Sequence, residues 1–305
     1  MNGSFVEDKD ATVGVFDAGF QHGVGLFETM LARNGHVFRP RQHMERLANS
    51  ASMLRLTEQL QIDPLVEALQ LTLEENNQHD ARIRLTVTGG DLNMLQRTGN
   101  TETSDPTIII QTQPPTEYPP AFFEKGVMVS LASGRVNPYA LGAGHKTLNY
   151  WSKLLNLQLS VMQQCGEALC LTPSAHVTGG SVSNIFIVRD GTLCTPIARG
   201  EEGESDEPSA VLPGITRQTI IELADELGVG TNKVMMTIDG VLAAEEVFLT
   251  NSSWGVLPVI GVHAAIQTND GGDVQEQSIG DGVVGNLTAQ LHTSYQETVD
   301  RETKM

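Results

Sequence analysis

Four prolines fall within the eight residues Gln113-Pro114-Pro115-Thr116-Glu117-Tyr118-Pro119-Pro120. Each proline fixes its own φ and lacks an amide donor, so a run this dense cannot lie inside a helix or a central strand. It reads as a stiff, extended connection, and it divides the 305-residue chain in two. The reading places a smaller domain at residues 1–115, the linker at 116–122 and a larger domain at 123–305.

Before the linker, apolar alternation predicts strands at Leu26–Arg33 and His36–Arg39, joined at Asn34-Gly35, a strong hairpin signal. Pro40 opens a helix carrying Met44, Leu47, Ala51 and Leu54. Asp63-Pro64 reads as an N-cap and first-turn proline of a second helix, through Leu73. Arg82–Thr88 and Thr107–Thr112 complete this part as strands. Beyond the linker, strands are expected at Val127–Leu131, Ala168–Thr172, Asn184–Val188, Leu193–Thr195, Val234–Ile238, Val247–Thr250 and Val256–Ile260. A helix with Ile220, Ile221, Leu223, Ala224 and Leu227 ends at Gly228. Short strands with few helices predict an α+β protein with a mixed or closed sheet in each half, not regular βαβ winding.

Composition narrows the partners. A formal charge of −18 argues against nucleic acid and anionic membranes, which require basic surface. The longest apolar runs, such as Val256–Val262, are strand-length, so no membrane span is expected. The acidic N-terminus lacks an apolar signal core, which points to the cytoplasm. Cys165, Cys170 and Cys194 show no metal-ligand spacing and read as buried thiols. Glu201–Glu207 reads as a solvated acidic insert.

Lys146 is one of six lysines, and Gly144–Trp151 opens an amphipathic helix with Leu154, Leu155, Leu157, Leu159 and Met162. A lysine in an apolar site at a helix mouth is poised to condense with an aldehyde, because burial disfavours its charged form. The alternative is a solvated surface charge. Leu212-Pro213-Gly214-Ile215-Thr216-Arg217 stands at a helix start, where free N–H groups and the helix dipole accept an anion; an ordinary capped turn has the same pattern. Arg46, in His43-Met44-Glu45-Arg46-Leu47, is either a surface charge or an inward phosphate fork. Asn251-Ser252-Ser253-Trp254-Gly255 is either a ligand-binding strand end or a polar turn. Gly280-Asp281-Gly282-Val283-Val284-Gly285 satisfies a dinucleotide fingerprint, but polar Asp273–Ser278 before it is not a buried strand, so the run reads as a loop before a terminal helix.

In order, these pieces resemble the class IV aminotransferases, the fold-type IV family dependent on pyridoxal 5'-phosphate (PLP), which includes branched-chain and D-amino acid aminotransferases and aminodeoxychorismate lyases. The resemblance runs from Asp17 to Pro258 through His22–Thr29, His43–Ser50, His145–Tyr150, Val177–Phe186, Leu212–Arg217 and Ala244–Val259. It implies a small N-terminal α/β sandwich domain, a larger C-terminal pseudo-barrel and a homodimer. It implies that Lys146 carries PLP and moves the substrate proton. Arg46, the Ile215 and Thr216 amides and Ser252 would hold the phosphate, with Tyr150 at the ring hydroxyl and Leu212 against a ring face. Ser253 would receive the substrate carboxylate, with His22 and Phe27 lining the pocket. Arg84 resembles a pocket arginine of the branched-chain enzymes and reads equally as a strand-edge charge. The substrates implied are a small or apolar amino acid and a 2-oxo acid.

One departure stands out. The family segment V-T-E-G-S is Val177-Thr178-Gly179-Gly180-Ser181 here, so the glutamate that pairs with the PLP ring nitrogen is missing. Either a distant acid substitutes, or the enzyme is slow, or the scaffold has become a PLP-binding homologue without transamination. Restoring the acid with Gly179→Glu is expected to raise turnover. The four-residue step from Lys146 to Tyr150 keeps a lyase releasing pyruvate open as the alternative. The absence of an arginine–histidine pair after Thr88-Gly89-Gly90 argues against D-amino acids.

Overall fold

The computed structural model describes residues 1–91, 106–204, 207–266 and 273–304. Two compact units emerge. The first comprises Met1–Thr116, His145–Tyr150 and Val299–Met305; the second comprises Glu117–Gly144 and Trp151–Thr298.

The first unit holds α1 (Ala18–His22), β1 (Gly25–Arg33), β2 (His36–Val37), α2 (Pro40–Met53), α3 (Ile62–Glu75), β3 (Ala81–Thr88) and β4 (Ile108–Gln113). Its antiparallel sheet runs β2-β1-β3-β4. The hairpin turns at Asn34 and Gly35, both at positive φ (54° and 81°), the twist a two-residue loop needs. Helix α2 buries His43, Met44, Leu47, Ser50 and Ala51 on one face, and α3 buries Leu65, Leu69 and Leu73. Both stripes join the apolar face of the sheet (Met30, Ile83, Leu85, Val87) in one core, a two-layer α/β sandwich. Gln61, not Asp63, is the N-cap of α3; Asp63 lies in its first turn, where its charge still suits the helix dipole.

The second unit holds α4 (Ala121–Glu124), β5 (Val127–Arg135), α5 (Trp151–Met162), β6 (Glu167–Leu171), β7 (Val177–Gly180), β8 (Asn184–Arg189) and β9 (Thr192–Pro196). It continues through α6 (Ile215–Glu226), β10 (Thr231–Val234), α7 (Ile238–Leu242), β11 (Glu246–Asn251), β12 (Gly255–Ile266), β13 (Asp273–Ser278) and α8 (Asn286–Glu302), whose last turn groups with the first unit. The strand order is β10-β9-β8-β11-β12-β5-β6-β7, with β13 on β12. The two ends of this path meet. The Val177 amide donates to the Met236 carbonyl at 2.7 Å, and His176 bridges Thr237, so the sheet curls into a half-closed barrel. Val129, Leu169, Ile185 and Leu249, all fully buried, fill it.

Two expectations are corrected and one is refined. The strand expected at Val234–Ile238 stops at Val234, because Thr237 accepts the Gly240 amide and caps α7. Asp273–Ser278, read as no buried strand, is an edge strand with Glu276–Ser278 exposed; its partner among the described residues is β12, and an edge position tolerates a polar sequence. The stretch around Lys146 does not open a helix. Helix α5 begins at Trp151, and residues 146–148 lie extended along β1: the Phe27 amide donates to the Lys146 carbonyl and the Leu148 amide to the Gly25 carbonyl, each at 2.9 Å. Gly25 makes room for this, since a Cβ there would lie 2.6 Å from the Leu148 side chain. The stretch 92–105 after Gly90, on which the argument about D-amino acids rests, lies outside the described residues.

Candidate active site

Within the first unit, the pairing along β1 sets the lysine. Lys146 is half-buried, and its Nζ lies 4.5 Å from the centroid of the Phe27 ring and 6.0 Å from that of Tyr150. Phe27, 3% exposed, meets Tyr150 edge-on at 5.1 Å. β1 and β3 pair Phe27 with Thr86 and Thr29 with Arg84, so these four side chains share one face of the sheet. Arg84 accordingly places its guanidinium carbon 3.9 Å over the Phe27 ring, and its Nε donates to Thr86. It is a half-buried residue of an interior strand, not a strand-edge surface charge. Burial, with Arg82 nearby, lowers its pKa, while Tyr150 opposes the shift. Lys146, Phe27, Arg84 and Tyr150 thus form one cluster of two cations on one aromatic ring. His22, at the end of α1, is exposed.

On the α2 side of the same strand, Glu28 is 1% exposed and takes a two-pronged pair from Arg46, with Nε to Oε1 at 2.8 Å and Nη2 to Oε2 at 2.6 Å. Buried His43 shares its Nδ1 with Glu28 Oε2 at 2.9 Å. Burial alone would raise the Glu28 pKa, but Arg46 and His43 together hold it down at about 2. Burial lowers the His43 pKa, with the Arg46 and Lys146 charges adding to it and Glu28 opposing. Glu28 and His43 were missed as functional candidates. The available signal was His43 and Arg46 three apart on α2, hence on one helix face.

The second unit carries the remaining candidates. Gly214 is the N-cap of α6 and provides no side-chain cap, so the first-turn amides of Ile215 and Thr216 are donors at a helix start. Asn184 holds the approach by donating from Nδ2 to the Leu212 carbonyl at 2.8 Å. Thr216 is 3% exposed. Helix α6 packs on β11, which leads into Asn251–Trp254. Asn251 Oδ1 accepts from the Ser253 and Trp254 amides, fixing Ser252 and Ser253 at the strand end. Thr250, 1% exposed and paired with Asn184 across β8 and β11, has a buried hydroxyl with no partner.

The acidic insert is not merely solvated. Glu201 takes a two-pronged pair from Arg217 (2.9 and 2.8 Å) and also pairs with Lys233, and Glu202 accepts the Ser209 amide at 2.6 Å. Residues 205 and 206 of the insert lie outside the described residues. Gly179 sits at φ +130°, and a Cβ there would stand 2.6 Å from the Ser183 carbonyl oxygen. The nearby buried carboxylate, Glu167, is engaged by the Ala168 and Val182 amides and the Ser183 hydroxyl at 2.9–3.2 Å. It is an anchor of the β7–β8 turn.

The first unit thus carries a lysine on an aromatic shelf, and the second carries an uncapped helix start with free amides on a curled mixed sheet. The amino-transferase class IV family model matches residues 25–262. The chain is 32% identical over 278 residues to a branched-chain-amino-acid aminotransferase of Salmonella typhimurium, covering 89% of this chain and 86% of that one. It is 30% identical over 306 residues to a D-alanine aminotransferase of Listeria monocytogenes, covering 99% and 96%. The T.th. branched-chain amino acid aminotransferase, solved with pyridoxamine 5'-phosphate, superposes with a TM-score of 0.83 at 26% identity, over 99% of this chain and 93% of that one. This chain belongs to the class IV aminotransferase family. Within it, the chain is a branched-chain-aminotransferase-like member.

The residues present fit PLP. In the second unit, uncapped amides at α6, a buried Thr216 and the orphaned Thr250 hydroxyl are donors of the kind a phosphate accepts from, and a buried donor left unpaired is costly. In the first unit, Lys146 is the amine beside an aromatic face.

Proposed function

We propose that this protein is a PLP-dependent aminotransferase that moves an amino group from an apolar amino acid to a 2-oxo acid. The observation that carries the reading is Lys146, held by backbone pairing to β1 with Nζ over Phe27 and beside Tyr150. When bound, PLP supplies a reactive aldehyde carbon and an electron-withdrawing ring. Lys146 would hold that carbon through its Nζ, and the same amine would move the proton of the substrate α-carbon. The Ile215 and Thr216 amides, the Thr216 hydroxyl and Ser252 would take the phosphate, with Arg46, aimed by Glu28, adding charge. Tyr150 would hold the ring hydroxyl and Leu212 would cover a ring face. His22 and Phe27 would line the substrate pocket. Arg84 and Ser253 would receive the substrate carboxylate.

The curated relatives include enzymes named for branched-chain and for D-amino acids, so the donor's handedness is decided by assay. Helix α5 leaves Trp151, Leu154, Leu155, Leu159 and Met162 between 38% and 80% exposed. Such an apolar face supports a second copy of the chain as partner, and sedimentation checks it. Buried free thiols at Cys165, Cys170 and Cys194 support a reducing compartment, the cytoplasm, which fractionation tests.

The decisive experiment incubates the protein with PLP, reduces with borohydride and maps the label. Label on Lys146 and none in Lys146→Ala supports the reading; label elsewhere sinks it. A donor screen with L-leucine, L-glutamate and D-alanine then separates a transaminase from an inert binder. Pyruvate release from aminodeoxychorismate without amino-group transfer would instead establish the lyase.

A further inference from the structure

A cavity of about 330 Å³ lies where the two ends of the curled sheet meet in the second unit. At that seam, His176 bridges Thr237 and the Val177 amide reaches the Met236 carbonyl, but β10 stops at Val234 and the ladder goes no further. The gap has apolar lining from both sides, Val177, Val234 and Met236, and is lined as well by Ile197, Val211 and Pro208. These walls are preformed: the Ser209 hydroxyl donates to the Ile197 carbonyl at 2.7 Å, the Val211 amide to the Ser209 hydroxyl at 3.0 Å, and the Arg199 amide to the Val211 carbonyl at 2.9 Å.

The charges at this cavity are of one sign. Glu202 and Glu207 line it, with His176, and no lysine or arginine does so among the described residues. Glu202 accepts the Gly200 and Ser209 amides, and although burial pushes its pKa up, those bonds together with the nearby Arg199 charge bring it below the usual range, so it stays ionised at neutral pH. Glu207 is exposed at the rim and bonds the Tyr139 hydroxyl. A carboxylate or phosphate entering here would meet two like charges, of which only Glu202 has a cation, Arg199, near it behind the lining. A cation with a compact apolar body meets complementary groups on every side.

We propose that this seam cavity is a second ligand site, taking a small amphipathic cation: a branched or short alkyl chain bearing one ammonium group. Val211 precedes Leu212, and Val177 and Thr178 precede Gly179, so an occupant touches the segments that lead into the candidate cofactor contacts. Methionines suit the role, since their unbranched thioethers adapt to differing alkyl shapes.

A primary amine would also react with PLP at Lys146, so the probe is trimethyl(3-methylbutyl)ammonium, which cannot condense with an aldehyde. Isovalerate and 3-methylbutanol, with the same alkyl body, are the anionic and neutral controls. The full-length protein, PLP-free, is titrated while the methyl resonances of Met235 and Met236 are followed, each assigned by its Met→Leu variant. The expected result is a saturable shift with the cation, a weaker one with the alcohol and none with isovalerate. Glu207→Gln is expected to weaken the cation by up to about 5-fold, the range of an exposed ion pair, and to leave the alcohol unaffected. Ala210→Phe, filling the cavity, is expected to abolish both. Equal binding of isovalerate, no saturable shift, or indifference to both substitutions in a folded protein overturns the proposal. None of these outcomes depends on PLP binding, so this site and the aminotransferase reading fail separately.

Discussion

Removing the Glu28 charge tests the buried network under the lysine shelf. In Glu28→Gln the side chain keeps its size, but Arg46 and His43 lose the carboxylate between them. The Glu28 pKa lies at about 2 in the fold against an ordinary 4.5, a difference of about 2.5. At about 1.4 kcal/mol per pKa unit, ionised Glu28 contributes about 3.5 kcal/mol of pH-dependent stability. The pKa is depressed, so this contribution is fully present above pH 4.5 and is lost as pH falls from there through 2. Urea unfolding of both proteins from pH 7 to pH 2 reads it directly. The expected gap between wild type and Glu28→Gln is a few kcal/mol at pH 7, roughly half of that at pH 3 and little at pH 2. A gap independent of pH would refute the reasoning, because it would show that the carboxylate is not held ionised by its two partners. A second readout follows if Glu28 aims Arg46 at the phosphate: the Kd for PLP should rise in the variant while its fold persists.

Gly179→Glu is now expected to destabilise by about 1–3 kcal/mol and not to raise turnover, because position 179 has φ +130° and Ser183 blocks its Cβ; thermal unfolding and a rate measurement decide between this and the sequence-based expectation. Arg217→Ala leaves Glu201 with Lys233 and the Ala198 amide alone; its pKa of about 2 reflects burial that raises it and the Arg217 and Lys233 bonds that more than offset this, so a loss of about 1–3 kcal/mol in urea unfolding is expected, and a loss under about 0.5 would show that solvent screens the pair. Thr250→Val removes only the orphaned hydroxyl, so the PLP-free protein should be as stable or more so, while the Kd for PLP rises about 5-fold; an unchanged Kd would assign that hydroxyl to another partner.

Much of this protein was legible as a string because the interactions concerned are local. The hairpin at Asn34-Gly35 follows from two residues that tolerate positive φ, α2 and α3 from apolar spacing, and the end of α6 from Gly228 at φ +72°. Candidate residues were found the same way: a lysine, a Pro-Gly helix start and a Ser-Ser turn each announce themselves over a few positions. What the string left undecided depends on partners distant along the chain. Lys146 reads locally as the start of a helix, yet pairing with Phe27 and Gly25, over a hundred positions earlier, draws it into an extended path. Glu28 carries no local sign of its place in the network, and the His43–Arg46 spacing only sets those two on one helix face; burial and the Arg46 fork arise only when α2 packs on β1. Glu201 looks solvated beside its acidic neighbours until Arg217 is brought to it. Gly179 reads as a missing acid, but only the folded turn shows that the carbonyl of Ser183 occupies the space any side chain there would need. Backbone propensity and side-chain period act within a turn or two of chain and are written in the sequence; pKa, register and available volume are set by neighbours that only folding supplies.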